Sequence, residues 1–247
     1  MKTAIVLCSG GIDSVTTAYY VKKKLGYGRI ILMFCNYGQR TLKQERRASK
    51  YCAKKLKVSF VEVKLDFLSM VSTSIINSKK DAKKVKRKDL KDTRKESENY
   101  YVPCRNTIFL THALVLAESI FLRNNQISDI FVGFKNEGDE PYPDTTEAYV
   151  KKINELSGFC MKKFCIKAPL IKKDKEDIIK LGVKLGIDYK NTFTCYVGAR
   201  RKHCGYCLSC RLRQEGFYFS GIRDPTDYKI KMKDFRENKK GEKVDAS

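Results

Sequence analysis

Five apolar residues at positions 4–8 run straight into Ser9-Gly10-Gly11-Ile12-Asp13-Ser14, and helical periodicity begins directly behind them. A short apolar run ended by a glycine pair reads as a buried strand. Residues 14–25 read as a helix, with Val15, Ala18, Tyr19 and Val21 on its apolar side and Gly26 as its stop. A strand that turns through glycines into a helix is the opening of an α/β sheet. Such sheets bind ligands at the carboxyl edge of their strands, where this loop falls.

The same rhythm continues along the chain. Strands are expected at residues 29–35, 58–63 and 130–133. Helices are expected at 40–56, 105–123, 144–159 and 174–185, with Asp144 or Thr145 available as the cap of the third and Gly186 ending the last. Strands alternating with helices argue for a doubly wound, mostly parallel α/β sheet with helices on both faces. A small four-cysteine element follows, so the expected organisation is a body at 1–190, a zinc-binding element at 191–220 packed on it, and a partly disordered tail at 221–247. Residues 78–99 break the rhythm. Lys, Asp, Arg and Glu dominate there, and the segment reads as a mobile, solvated loop, with a substrate-ordered lid as the alternative.

Composition narrows the class. At 247 residues and 42% hydrophobic, the chain can bury one sizeable core. It holds nothing near the roughly 20 consecutive apolar residues of a membrane span. Met1-Lys2-Thr3 is followed by only five apolar residues, too few for a secretory h-region, so the expected address is the cytoplasm. The net charge of +23 comes from lysine spread over the whole chain. It speaks to solubility and non-specific association, and nucleic acid is not the expected partner. Ten cysteines do not make a disulfide scaffold here, because four of them cluster between positions 195 and 210. Cys8 and Cys35 close apolar runs as small buried hydrophobes, which fits a reducing compartment.

The loop suggests phosphate chemistry. Two glycines let the backbone approach an anion, and serine hydroxyls and free N–H groups at the helix start can donate to it. The chain has neither G-x-x-x-x-G-K-[ST] nor G-x-G-x-x-G at this place. The loop resembles the pyrophosphate loop of the N-type ATP pyrophosphatases, which include GMP synthetase, NAD synthetase, argininosuccinate synthetase and tRNA-thiolating enzymes. That resemblance implies cleavage between the α- and β-phosphates of ATP and an adenylated intermediate. It implies an ATP site made by Leu7, Cys8, Ser9, Gly10, Gly11, Ile12, Asp13, Ser14, Val15, Thr16 and Thr17. Asp13 has two readings: a ligand for the Mg²⁺ that accompanies ATP, or a residue that caps or orients the loop.

Cys195, Cys204, Cys207 and Cys210 follow the pattern C-x8-C-x2-C-x2-C. Two short steps and one longer arm let four thiolates converge on one tetrahedral ion, and four sulfurs leave no open position. One structural Zn²⁺ per chain is expected, with an iron–sulfur cluster as the alternative. His203 adjoins the cluster as a substitute ligand or an exposed neighbour; His112 sits in an apolar helix as a packing residue.

Several segments together resemble 7-cyano-7-deazaguanine synthase, of the queuosine and archaeosine pathways. They are CSGGIDSVT at 8–16, NYGQR at 36–40, YVPCRNTIFL at 101–110, EPYPDTTEAYV at 140–150, APLIKKDKEDIIKLG at 168–182, and TCY at 194–196 with HCGYCLSCRLRQEGF at 203–217. The resemblance implies that ATP activates the carboxylate of 7-carboxy-7-deazaguanine, ammonia displaces AMP, and a second ATP drives dehydration of the amide to the nitrile. No glutaminase segment is recognisable, so free ammonia is the implied donor. Tyr37, Gln39 and Arg40 follow the second strand, Arg105 and Asn106 open a helix, and Tyr142 and Asp144 follow the fourth strand, which makes them the implied substrate site. Asp144 either accepts from the guanine-like edge or caps the following helix. The chain departs from the family pattern at Cys104, where VPGRN has glycine, at Thr145, where cysteine is common, and at residues 136–140. These departures touch the base pocket rather than adenylation. Two other readings stand beside this one: a tRNA-modifying adenylase with the same loop, and a zinc-stabilised nucleic-acid-binding module without catalysis. A homodimer is a further expectation.

Overall fold

The computed structural model describes residues 2–136, 142–198 and 202–230. Its centre is strand β1 (Thr3–Leu7), every residue of which is buried. Ile5 and Leu7 enter one hydrophobic cluster and Ala4 and Val6 the other, so both faces of the strand are covered. This is why the run is apolar throughout instead of alternating. Helix α1 (Ile12–Lys24) follows, with Asp13 in its first turn and Lys22, Lys23 and Lys24 in its last, an order that suits the helix dipole.

Then come β2 (Arg29–Asn36), α2 (Leu42–Leu56), β3 (Ser59–Lys64) and the short α3 (Asp66–Val71). After a long connection with a brief α4 (Arg94–Glu98), α5 (Arg105–Asn124) leads to β4 (Ser128–Phe131), α6 (Glu147–Leu156) and β5 (Ile166–Lys167). Two helices finish the described chain, α7 (Lys175–Lys184) and α8 (Leu208–Ser220). All five strands are parallel, in the order β3-β2-β1-β4-β5. The chain winds outward through β2 and β3, then returns to the other side of β1. That reversal opens a crevice between the carboxyl ends of β1 and β4. Residues of α1, α2, α7 and α8 cover one face, and α5 with Leu68 and Ile153 covers the other.

The expected α/β sheet is therefore present, with several differences. The helix expected at 144–159 begins at Glu147, and its cap is Thr146, whose hydroxyl accepts from the Tyr149 N–H at 3.1 Å. Neither Asp144 nor Thr145 caps it, because Pro143–Thr145 forms a separate 3-10 turn. Residues 78–99 are not simply solvated. Ala82 and Val85 are buried in the core, and the Val85 N–H donates to the Tyr206 carbonyl at 3.0 Å. β5 and α8 were not expected. Of the tail expected at 221–247, residues 221–230 are described, with Tyr228 bridged to His203, while residues 231–247 and the departure at 136–140 apart from Asn136 lie outside the described residues. Among the described residues no helix is long and apolar enough to cross a membrane.

Candidate active site

The loop after β1 is seated by close packing. Gly10 has φ +86°, and a Cβ there would lie 2.7 Å from the Ala48 Cβ and 2.8 Å from the Glu45 carbonyl oxygen, both on α2. The Ser49 hydroxyl donates to the Cys8 carbonyl at 2.8 Å, and the Phe193 N–H donates to the Gly10 carbonyl at 2.8 Å. The loop is thus held between α2 and the start of the cysteine-bearing segment. Gly133, just beyond β4, lies so close that a Cβ would be 2.9 Å from the Ser14 nitrogen. Gly11, at the N-cap of α1, gives the helix no side-chain cap. Its first N–H groups therefore lack the usual intrahelical and capping acceptors, the arrangement that receives anions. The Ser9 and Ser14 hydroxyls stand 3.1 Å apart across this start.

These groups open into a cavity of about 250 Å³. Of the expected ATP residues, Leu7, Cys8, Ser9, Gly11, Asp13 and Ser14 line it. Gly10 is the packing point beneath. Ile12 and Val15 are core residues, while Thr16 and Thr17 turn their hydroxyls back to the carbonyls of Ile12 (2.8 Å) and Asp13 (2.9 Å). Of the expected substrate residues, Tyr37, Arg105 and Asn106 line the same cavity. The Arg105 guanidinium lies 5.9 Å from the Tyr37 ring centroid, and Phe109 packs on Tyr37 at 5.3 Å between centroids.

The others are placed differently. Gln39 is buried, its amide oxygen accepting from the Tyr37 N–H at 3.0 Å and its amide nitrogen donating to Glu45 at 3.1 Å. Arg40 donates to the Lys80 carbonyl at 2.8 Å, holding the 78–99 segment. Tyr142 lines an adjoining cavity of about 90 Å³ with Asp13 and Lys175, and its hydroxyl donates to the Ser97 carbonyl at 3.2 Å. Asp144 is tied beside the main cavity through its carbonyl, which accepts from the Asn106 amide at 3.4 Å.

Two site residues escaped the sequence reading. Lys175, at the start of α7, donates to both Asp13 oxygens, at 2.8 and 2.6 Å. Glu45 lines the cavity, and burial raises its carboxyl above the ordinary value against the pull of Thr41 and Gln39. One signal for Glu45 was present: it shares a helical face with Ala48, Ser49, Cys52 and Leu56, all buried. An acid on an apolar stripe asks for an explanation. Lys175 offered no such signal, because its pairing is long-range.

Cys195, Cys204, Cys207 and Cys210 are all buried, and their sulfurs lie within 4.8 Å of one another. The Cys195–Cys207 and Cys204–Cys210 sulfur separations are 3.9 and 3.8 Å. A tetrahedron with metal–sulfur bonds of about 2.3 Å has edges of about 3.8 Å, so the four fit one ion. Thiolates bound to separate irons of a cluster would stand further apart. Backbone N–H groups of Gly198 and Cys204 donate to the Cys195 sulfur at 3.1 and 3.3 Å, as suits a thiolate. His203 is outside this group. Burial lowers it to about 3, and its neutral Nε2 accepts from the Thr194 N–H at 3.1 Å. His112 bonds the Ile108 carbonyl one turn back at 2.8 Å, a packing role as expected.

Comparison with known proteins agrees with this arrangement. The family described as "Queuosine biosynthesis protein QueC" matches residues 3–221. The 7-cyano-7-deazaguanine synthase of Rickettsia felis is 33% identical over 236 residues, covering 92% of this chain and 100% of the relative. That of Methanosphaera stadtmanae is 36% identical over 230 residues, covering 91% and 97%. The match takes in the loop, both sides of the cavity and all four clustered cysteines, so no part of the site stands outside it, and the chain belongs to the QueC family of queuosine biosynthesis proteins.

Proposed function

We propose that this chain is an ATP-dependent ligase that converts 7-carboxy-7-deazaguanine and ammonia to 7-cyano-7-deazaguanine, using two ATP per nitrile. The observation that carries the reading is the shared cavity: the uncapped start of α1, with Ser9, Gly11 and Ser14, faces the same space as Tyr37, Arg105 and Asn106. The names of the similar proteins support the nitrile product.

In this reading the substrate carboxylate attacks the α-phosphorus and pyrophosphate leaves. The helix start and the serine hydroxyls stabilise charge on the departing oxygens. Arg105 holds the carboxylate by charge-assisted hydrogen bonds, and Tyr37 and Phe109 form an apolar wall for the flat ring. Ammonia then attacks the acyl carbon, AMP leaves and the amide forms. The amide oxygen attacks the α-phosphorus of a second ATP and expels pyrophosphate, and loss of AMP with two protons leaves the nitrile. Lys175 keeps Asp13 oriented and brings a cation to the edge where pyrophosphate departs. Mg²⁺ would neutralise phosphate charge, and Asp13 is the carboxylate placed to meet it, sharing that work with Lys175. Zn²⁺ fits the four-cysteine site in number, spacing and burial, and would saturate it, so its role is to tie Cys195 to residues 204–210 behind the loop.

The reaction needs no tRNA and belongs in the cytoplasm. Mass spectrometry of an incubation with ATP, ammonia and the free acid is expected to show the nitrile, with pyrophosphate released at each adenylation. Pyrophosphate release that depends on tRNA, or an acid left unconverted, would refute the proposal.

A further inference from the structure

The main cavity is lined by two carboxylates in different states. Asp13 is ion-paired with Lys175 at 2.6 Å. Glu45 has no ion-pair partner among the described residues; the Thr41 hydroxyl donates to its Oε1 at 2.5 Å and the Gln39 amide to its Oε2 at 3.1 Å. Glu45 is half-buried, and Arg105 in the same cavity pulls on its charge without forming an ion pair, so hydrogen bonds are what fix its orientation. A carboxylate has about four acceptor sites, and Thr41 and Gln39 take one at each oxygen. Two acceptors remain, side by side on one planar group.

Both donors are themselves fixed. Gln39 is 3% exposed, and it also donates to the Cys35 carbonyl at 3.1 Å while accepting from the Tyr37 N–H at 3.0 Å. Thr41 is 1% exposed. The carboxylate is therefore oriented by groups that have no freedom to turn. It stands in the cavity that holds Tyr37, Phe109 and Arg105.

The substrate class is polarised in a complementary way. A deazaguanine presents two parallel donors on one edge, the ring N–H and the exocyclic amine, and bears its acid on the five-membered ring. We infer that Glu45 reads the donor edge of the heterocycle by paired hydrogen bonds, with Gln39 and Thr41 as its positioning residues. This rests on the function proposed above. It assigns Gln39 an indirect part, through Glu45, and gives base discrimination to a residue on α2.

The test compares 7-carboxy-7-deazaguanine with its counterpart lacking the 2-amino group, in the zinc-loaded full chain. The native enzyme is expected to favour the amino-bearing acid by about 10- to 100-fold in kcat/KM, the range for a buried acceptor left unpaired. Glu45→Gln should raise KM for that acid by a similar factor and raise KM for the 2-desamino acid, which keeps only the ring N–H, by a smaller one, so that the discrimination narrows. The amide can keep both inner contacts, its oxygen accepting from Gln39 and its nitrogen donating to Thr41. Thr41→Val, close in shape, should lower the discrimination by about 3- to 10-fold with kcat kept. Equal use of both acids by the native enzyme, or an equal loss on both acids in the variants, would overturn the inference. A native enzyme that releases no pyrophosphate with either acid and ammonia would instead sink the proposed function, and this inference with it.

Discussion

Gly10→Ala should destabilise the fold by an amount that can be worked out from its surroundings. The new methyl would lie 2.7 Å from the Ala48 Cβ, 2.8 Å from the Glu45 carbonyl oxygen and 2.9 Å from the Ser49 nitrogen. Two of these neighbours are helix backbone, which cannot swing aside as a side chain can. The φ of +86° adds strain of about 1–2 kcal/mol for an L side chain. Overpacking adds about 1–3 kcal/mol. The stiffer unfolded chain gives back about 0.4–1 kcal/mol. The net loss is about 1–5 kcal/mol, or roughly 2–20 °C in Tm for a chain of this size. Gly26→Ala is the control, because Gly26 has φ +66° and nothing within 4 Å of its added Cβ. It carries the conformational strain without the clash, so the difference between the two variants isolates the packing. Urea unfolding followed by far-UV circular dichroism, with zinc present, measures both. Pyrophosphate release reports whether the loop has been displaced, and a fall of about 100-fold or more is expected in Gly10→Ala alone. A Gly10→Ala protein within about 0.5 kcal/mol of Gly26→Ala, with native turnover, would refute the argument that the loop is seated on α2.

Three further outcomes are expected. Metal analysis of protein purified without added zinc should find one zinc per chain, and Cys207→Ser should lose both the metal and cooperative melting; absence of metal, or iron–sulfur absorption, would contradict this. Cys104→Gly should be neutral or stabilising by up to about 1 kcal/mol, since Cys104 is exposed at φ +51° and relief of strain outweighs the added freedom of the unfolded chain; a drop in Tm would show that the thiol side chain is needed where it is. The Arg46 hydrogen bond holds Glu62 below its usual value, so the pair's contribution is present above the unfolded carboxyl pKa and is lost as pH falls through the folded one. Arg46→Ala should therefore cost about 0.5 kcal/mol near neutral pH and nothing in strong acid, and equal costs in urea unfolding at both pH values would exclude the linkage.

Local features were legible in the sequence and distant pairings were not. β1, the glycine turn and α1 announce themselves because apolar run, breaker and periodicity are adjacent in the chain. The cysteine site is readable for the same reason, since three of its four ligands fall within seven residues. β5 escaped because Ile166–Lys167 is too short to show any period. Residues 78–99 were misread because average composition hides two anchors, Ala82 and Val85, among the charges. The cap of α6 was expected at Asp144 or Thr145, but the 3-10 turn at Pro143–Thr145 takes up both and the cap falls on Thr146. Cys104 is a case where two levels agree: the family pattern has glycine there, and the backbone is left-handed. Lys175 on Asp13 and Glu45 under Gln39 depend on the tertiary fold.

The pairing of Asp13 with Lys175 joins residues 162 positions apart. β1 precedes the other four strands in the chain and lies in the middle of the sheet, and its loop rests partly on Phe193, late in the described chain. Synthesis therefore delivers the phosphate loop well before the second half of its seat. β1 and β2 can pair early, but the loop stays open until most of the polypeptide is made. Such long-range closure slows folding and leaves apolar strand edges exposed meanwhile. A nascent chain arrested before residue 193 would carry the whole glycine motif and the α2 side of its seat, without the Phe193 N–H that holds the other side.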